Sequence, residues 1–156
     1  MNVTYRRATL ADIDELARLR IAFLKEVQSP ESRLVDDYEL TGILKTYFQN
    51  SLETEEFVAW LAIVDGEVVA TSGLCFFKIT PGFTLLDGKI AYILNIYTLH
   101  EWRKKGIGKA IFDHILQEAK NRGYKRMILH ASEDGRPIYE KFGFIQTNDE
   151  MVLSIA

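Results

Sequence analysis

The residues best suited to chemistry lie in the run HEWRKKGIGKAIFDHI, residues 100 to 115. Arg103, Lys104 and Lys105 lead into Gly106 and Gly108, and Lys109 follows directly. Ile107, Ile111, Ile115 and Ala119 recur with helical spacing, so the glycines sit where a loop hands over to a helix. The free N–H groups of a first helical turn and the positive end of its dipole point at one place there, and glycine lets a bulky anion approach the backbone. That arrangement suits a phosphate, and the neighbouring cations can add charge-assisted hydrogen bonds. A Walker loop needs four residues between its glycines and then Gly-Lys-Ser/Thr. A dinucleotide fingerprint needs a third small residue where Ile111 stands, so neither pattern is met. On these residues alone two readings stand: a phosphate cradle, or a solvated basic turn whose glycines relieve crowding.

The rest of the composition makes this cationic spot local. The chain has 19 Lys+Arg against 22 Asp+Glu and a net charge of -3, which argues against nonspecific binding to nucleic acid. Hydrophobic residues make up 47% and charged residues 26% of 156 residues, the profile of one globular domain over residues 1–156. The start MNVTYRRATLADIDEL lacks the apolar run of a signal peptide, and no stretch approaches the roughly eighteen apolar residues that span a bilayer. No membrane partner and a cytoplasmic location are the expectation. Cys75 is the only cysteine, which excludes an internal disulfide or a Cys-based zinc cluster and agrees with a reducing compartment. It lies in an apolar run without a sequence-local histidine to activate it, so it is not read as an acyl-carrying nucleophile. His100, His114 and His130 lack metal-ligand spacing, and no metal site is predicted.

The elements that must position the glycine turn are legible from pattern. Residues 3 to 8 read as a strand, and Thr9 with Asp12 has capping spacing for a helix to about Val27. Ser29-Pro30 interrupts, and residues 33 to 50 resume helical periodicity. FVAWLAIV, EVVATSGLCFFKI and KIAYILNIYT read as three strands, the first two joined by the tight-turn pair Asp65-Gly66. The helix from Gly106 ends at about Arg122, with Gly123 as its stop. RMILHA is a further strand, RPIYEKF a short helix, and FIQT and MVLSI two final strands. The order β-α-α-β-β-β-α-β-α-β-β predicts a mixed α/β layer structure with helices on both faces of the sheet.

Arg103-x-x-Gly106-x-Gly108 resembles the Q/R-x-x-G-x-G/A acyl-CoA signature of the GNAT superfamily of N-acetyltransferases. The stretch from YILNIYTLHEW through RPIYEKFGF is similar to that family's cofactor-binding half, and the upstream element order also fits. The resemblance implies a mostly antiparallel central sheet with a splayed strand pair and transfer of an acetyl group from acetyl-CoA to a primary amine. The pyrophosphate would lie over the amides of residues 104 to 109, which include Lys104, Gly106, Ile107, Gly108 and Lys109, with Arg103 nearby. Backbone groups of Ile96 and Thr98 would meet the pantetheine arm as an added strand would.

The same resemblance assigns Tyr139 as general acid for the departing thiolate, a task suited to a phenol of pKa about 10. Ser132 is either a further cofactor contact or a turn cap. Many family members carry a glutamate base where Tyr92 stands here, so the base is open; Asn95 and Tyr97, on one face of their strand, are candidates to hold a water relay. The acceptor is a small-molecule or peptide amine. Glu26, Asp36 and Asp37 point either to a cationic amine, such as a polyamine or aminoglycoside, or to a plain solvated helix face. A non-catalytic acyl-CoA sensor is the alternative function, and a homodimer through the apolar MVLSI tail is expected.

Overall fold

The computed structural model describes residues 2–147 and 149–155. Strand β1 (Thr4–Arg7) leads into a capped turn, where Thr9 Oγ1 accepts from Ala11 N at 3.3 Å and Asp12 Oδ2 accepts from Thr9 N at 2.7 Å. Asp12 therefore closes the capping box as a glutamate would, and Arg6 clamps its carboxylate with two hydrogen bonds of 2.8 and 2.9 Å. Helix α1 (Ile13–Val27) follows and buries Ile13, Leu16, Ala17 and Leu19. A 3₁₀ turn at Pro30–Ser32 separates it from α2 (Asp37–Thr54). The second helix begins and ends four residues later than periodicity predicts. Asp36 caps it by accepting from Glu39 N at 2.8 Å, which leaves Leu34 outside the helix and exposed.

The run FVAWLAIV divides at Ala59 into β2 (Phe57–Val58) and β3 (Trp60–Val64). At the break the Ser72 hydroxyl accepts from Trp60 N at 3.2 Å and donates to Trp60 O at 3.1 Å, replacing backbone pairing. Asp65 and Gly66 both have positive φ, +50° and +79°, and close the tight hairpin into β4 (Glu67–Lys78) as predicted. Strand β5 (Lys89–Thr98) has the bounds read from the sequence. Helix α3 (Ile107–Asn121), β6 (Met127–Ile128) and α4 (Arg136–Lys141) complete the order.

The sheet runs β1-β3-β4-β5-β6, with β2 on β4; all pairs are antiparallel except β5 with β6. One face packs on α1 and α2 around Leu16, Leu19, Phe48 and Phe57, and the other packs on α3 around Ile111, Phe112 and Ile115. This is the mixed α/β sheet flanked by helices that the pattern predicts.

Two expectations differ. RMILHA pairs over only Met127 and Ile128, opposite Ala91 and Tyr92. Beyond that point β5 deflects at a bulge: the register against β4 shifts between Gly73 and Thr71, and Asn95 takes the left-handed conformation at φ +57°. FIQT and MVLSI carry no strand among their residues. Ile145, Met151, Val152, Leu153 and Ile155 stay exposed, because an alternating segment becomes a strand only when a sheet edge accepts its hydrogen bonds, and the two-residue β6 offers almost none.

Candidate active site

The bulge in β5 sends alternate side chains to different partners. Ile96 packs on the α3 face, whereas Asn95 and Tyr97 both reach α1 on the opposite face. On the α3 side, a cleft of about 570 Å³ is lined by Ile96, Gly108, Lys109, Phe112, Ile138 and Tyr139. Four of the residues singled out in the sequence therefore meet at one cleft, brought there by three separate elements. Phe112, Ile138 and Phe142 complete its apolar wall and were not anticipated, although Phe112 lies one turn beyond Gly108 on the same helix face.

At the cleft's glycine end, Lys104 has φ +62° and Gly106, the N-cap of α3, has φ +82°. No side chain caps this helix, and its first bond runs from Ala110 N to Gly106 O at 3.1 Å. The amides of Ile107, Gly108 and Lys109 precede that bond and point out of the helix end. The Ile107 side chain is buried, so only its backbone faces outward. Space above the glycines is open: a Cβ on Gly106 would meet nothing within 4 Å, and one on Gly108 only Thr98 Oγ1 at 3.8 Å. Lys109 pairs with Asp113 at 3.3 Å on the exposed surface, an attachment weak enough to yield to a phosphate.

Arg103, beside the same turn, is held by three hydrogen bonds. Its Nε donates to the Thr98 carbonyl at 2.8 Å, and its Nη2 donates to both oxygens of Glu26 at 3.0 and 3.1 Å. Tyr97 also donates to Glu26, at 2.9 Å. Partial burial alone would raise the Glu26 pKa, but the hydrogen bonds from Tyr97 and Arg103 outweigh it and hold the carboxylate below its usual range. Arg103 thus ties the glycine loop to the end of α1, and Glu26 is spent as a structural anion. Asn95 and Tyr97 are each bonded to α1, Asn95 through Arg20 and Tyr97 through Glu26.

At the other end of the cleft, the Tyr139 ring packs tilted against Phe112 at 5.3 Å and lies edge-on to Phe144 at 6.2 Å. Burial pushes its phenol above the usual pKa, so it stays protonated and able to donate throughout the neutral range. Ser132 does not line the cleft. Its hydroxyl accepts from Gly135 N at 3.1 Å, which orders the turn into α4, and α4 in turn sets Tyr139. Cys75 is a free, half-buried thiol 3.3 Å from the Tyr47 hydroxyl, and burial raises its pKa, which makes it a poor nucleophile. Among the described residues no His, Cys, Asp and Glu cluster could hold a metal ion.

Comparisons with known proteins agree with this geometry. A predicted acetyltransferase of Clostridium acetobutylicum, solved with acetyl-CoA, superposes with a TM-score of 0.87 at 33% identity, covering 98% of this chain and 96% of that one. A GCN5-related N-acetyltransferase of Ralstonia eutropha JMP134 superposes with a TM-score of 0.84 at 26% identity, covering 99% of each chain. Glucosamine 6-phosphate N-acetyltransferase of Trypanosoma brucei brucei is 29% identical over 90 residues, 58% of this chain and 59% of that protein, so the chain aligns with less than two thirds of that relative's length. The profile of the Acetyltransferase (GNAT) family matches residues 18–144, which include the glycine turn, the bulged strand and the Tyr139 helix. With the uncapped glycine-led helix and the strand splay both in place inside that match, the chain belongs to the GNAT acetyltransferase family.

Proposed function

We propose that residues 1–156 form one domain that transfers the acetyl group of acetyl-CoA to a primary amine by direct attack on the thioester. The observation that carries this reading is the convergence on one cleft of the uncapped α3 terminus, the splayed part of β5 and Tyr139. The residues fit the co-substrate. Its phosphates would take the outward amides of residues 104–109 with Lys104 and Lys109 beside them, and the open space over Gly106 and Gly108 leaves room for the pyrophosphate. The pantetheine arm would pair with backbone groups of Ile96 and Thr98 where β6 has left β5. Arg103 serves by holding the loop, and Ser132, already accepting from Gly135, keeps its O–H to donate to the cofactor.

In the reaction the amine nitrogen bonds to the thioester carbonyl carbon and the carbonyl electrons move to oxygen. Backbone N–H groups at the β5 bulge stabilise the oxyanion. Collapse breaks the C–S bond, and the Tyr139 hydroxyl passes its proton to the departing sulfur. The amine's surplus proton goes to water, and the tyrosinate recovers its own from solvent. With an amine that arrives neutral, proximity and exclusion of water supply much of the rate without a strong base.

Calorimetric titration with acetyl-CoA and thiol release across an amine panel test the proposal. Binding with amine-dependent thiol release supports it, and no binding at millimolar cofactor overturns it. Binding without release for any amine would make the chain an acyl-CoA sensor. A cytoplasmic location belongs to the same reading, supported by the free thiol of Cys75, and among the described residues no helix is long and apolar enough to cross a membrane. Homodimerisation also belongs to it, supported by the exposed apolar side chains of Met151, Val152, Leu153 and Ile155. Light scattering that returned only the 17.9 kDa of one chain across micromolar concentrations would reject the dimer.

A further inference from the structure

Arg20 lies on α1, on the side of β5 opposite the cleft, and it donates to the Asn95 side chain. It is half-buried, and its other charge-capable neighbours are Tyr92, Cys75 and Tyr47. Burial raises the pKa of each of these three groups, so all are neutral at physiological pH. Among the described residues no carboxylate pairs with Arg20. In contrast Arg6, Arg7, Arg18, Arg103 and Arg122 each hold one. Burial draws the Arg20 pKa below its usual value, a sign that desolvation of this cation is uncompensated, yet a guanidinium stays charged. A desolvated, forked cation facing only neutral groups costs stability in isolation and is matched by a carboxylate or phosphoryl group.

Its place gives that match a purpose. Asn95 and Ile96 are consecutive in the β5 bulge: Ile96 lines the cleft, and Asn95 carries Arg20 on the other face. An acceptor anchored at Arg20 is thus one residue of strand away from the wall along which the thioester would lie. The carboxylates that pointed toward a cationic acceptor are meanwhile occupied. Glu26 is held by Arg103 and Tyr97, Asp36 caps α2, and Asp37 pairs with Lys25.

Resting on the transferase reading above, we propose that Arg20, oriented by Asn95, is an oxyanion subsite for the acceptor, so that the amine acetylated carries a carboxylate or phosphoryl group. The test is thiol release with matched amines: amino acids against their amides, and amino-sugar phosphates against the unphosphorylated sugars. The anionic member of the productive pair should show kcat/KM at least about 100-fold higher, and the Arg20→Gln variant should lose that preference while retaining its affinity for acetyl-CoA. Equal rates for charged and neutral partners would overturn the subsite while leaving the transferase reading intact; no thiol release with any amine would overturn both. Thermal shift with inorganic phosphate and with acetate gives a readout independent of turnover. One of the two ions should stabilise the wild-type protein and not Arg20→Gln, and which one it is separates phosphoryl from carboxylate recognition. If neither does so, the subsite is refuted. Arg20→Lys keeps the charge without the fork, so it guards against a folding defect in the first variant and should retain part of the preference.

Discussion

Replacing Tyr139 by phenylalanine removes one oxygen and leaves the ring. The ring contacts at 5.3 Å with Phe112 and 6.2 Å with Phe144 persist, so stability should change by less than about 1 kcal/mol. The cofactor affinity should also persist, because the proposed phosphate and arm contacts lie on α3 and β5. In the proposed mechanism the hydroxyl is needed only as the C–S bond breaks, when the thiolate must be protonated. General acid catalysis is typically worth 10²- to 10⁴-fold, so turnover should fall by about 2.7 to 5.5 kcal/mol of transition-state stabilisation. If water reaches the sulfur and delivers the proton instead, the loss shrinks to roughly 10-fold and Tyr139 is chiefly a positioning residue. The pH profile adds a second readout. Burial raises the phenol's pKa, so the wild-type rate should fall only above about pH 10, as the phenol ionises, and that limb should be absent from the phenylalanine variant. The assay is thiol release at saturating amine, with acetyl-CoA affinity measured calorimetrically in parallel. Unchanged turnover refutes the general-acid assignment, and equal losses in affinity and turnover assign the hydroxyl to binding.

Gly108→Val should weaken acetyl-CoA binding by about 10- to 100-fold with little change in melting temperature, since its Cβ meets only Thr98 Oγ1 at 3.8 Å inside the protein while the branched side chain would enter the space proposed for the pyrophosphate; calorimetry and thermal denaturation separate the two effects. Gly88→Ala should destabilise the fold by more than about 2 kcal/mol in urea titrations, because its Cβ would fall 2.1 Å from the Ile79 carbonyl oxygen at a φ of +67°. Asp12→Asn should cost about 1 to 3 kcal/mol by weakening the Arg6 clamp and the cap. The hydrogen bonds from Arg6, against partial burial and with help from Thr9 N, depress the Asp12 pKa in the folded state. Its contribution is therefore present above the unfolded value near 3.9 and lost as pH falls through the folded one, and the asparagine variant should lack this part of the acid sensitivity in urea titrations between pH 6 and 2.

What the sequence determined by itself is local. Asp65-Gly66 closes its hairpin because both residues tolerate positive φ, Thr9 and Asp12 cap each other across three positions, and the α3 start follows from glycine and isoleucine spacing. Family resemblance then pointed to Ile96, Gly108, Lys109 and Tyr139, which the fold brings to one cleft. Tertiary structure decided whatever depends on partners far apart in the chain. Arg103 and Glu26 are 77 residues apart and Arg20 and Asn95 are 75 apart, so no spacing rule could show that the first arginine is spent on a carboxylate while the second is not. Arg20 left one faint trace, a cation one turn after Leu16 in the apolar stripe of α1. The bulge at Asn95 and the early end of β6 were likewise invisible, because a strand's length is set by the neighbour that accepts its hydrogen bonds as well as by its own residues. The same reason kept FIQT and MVLSI out of the sheet despite their strand-like alternation.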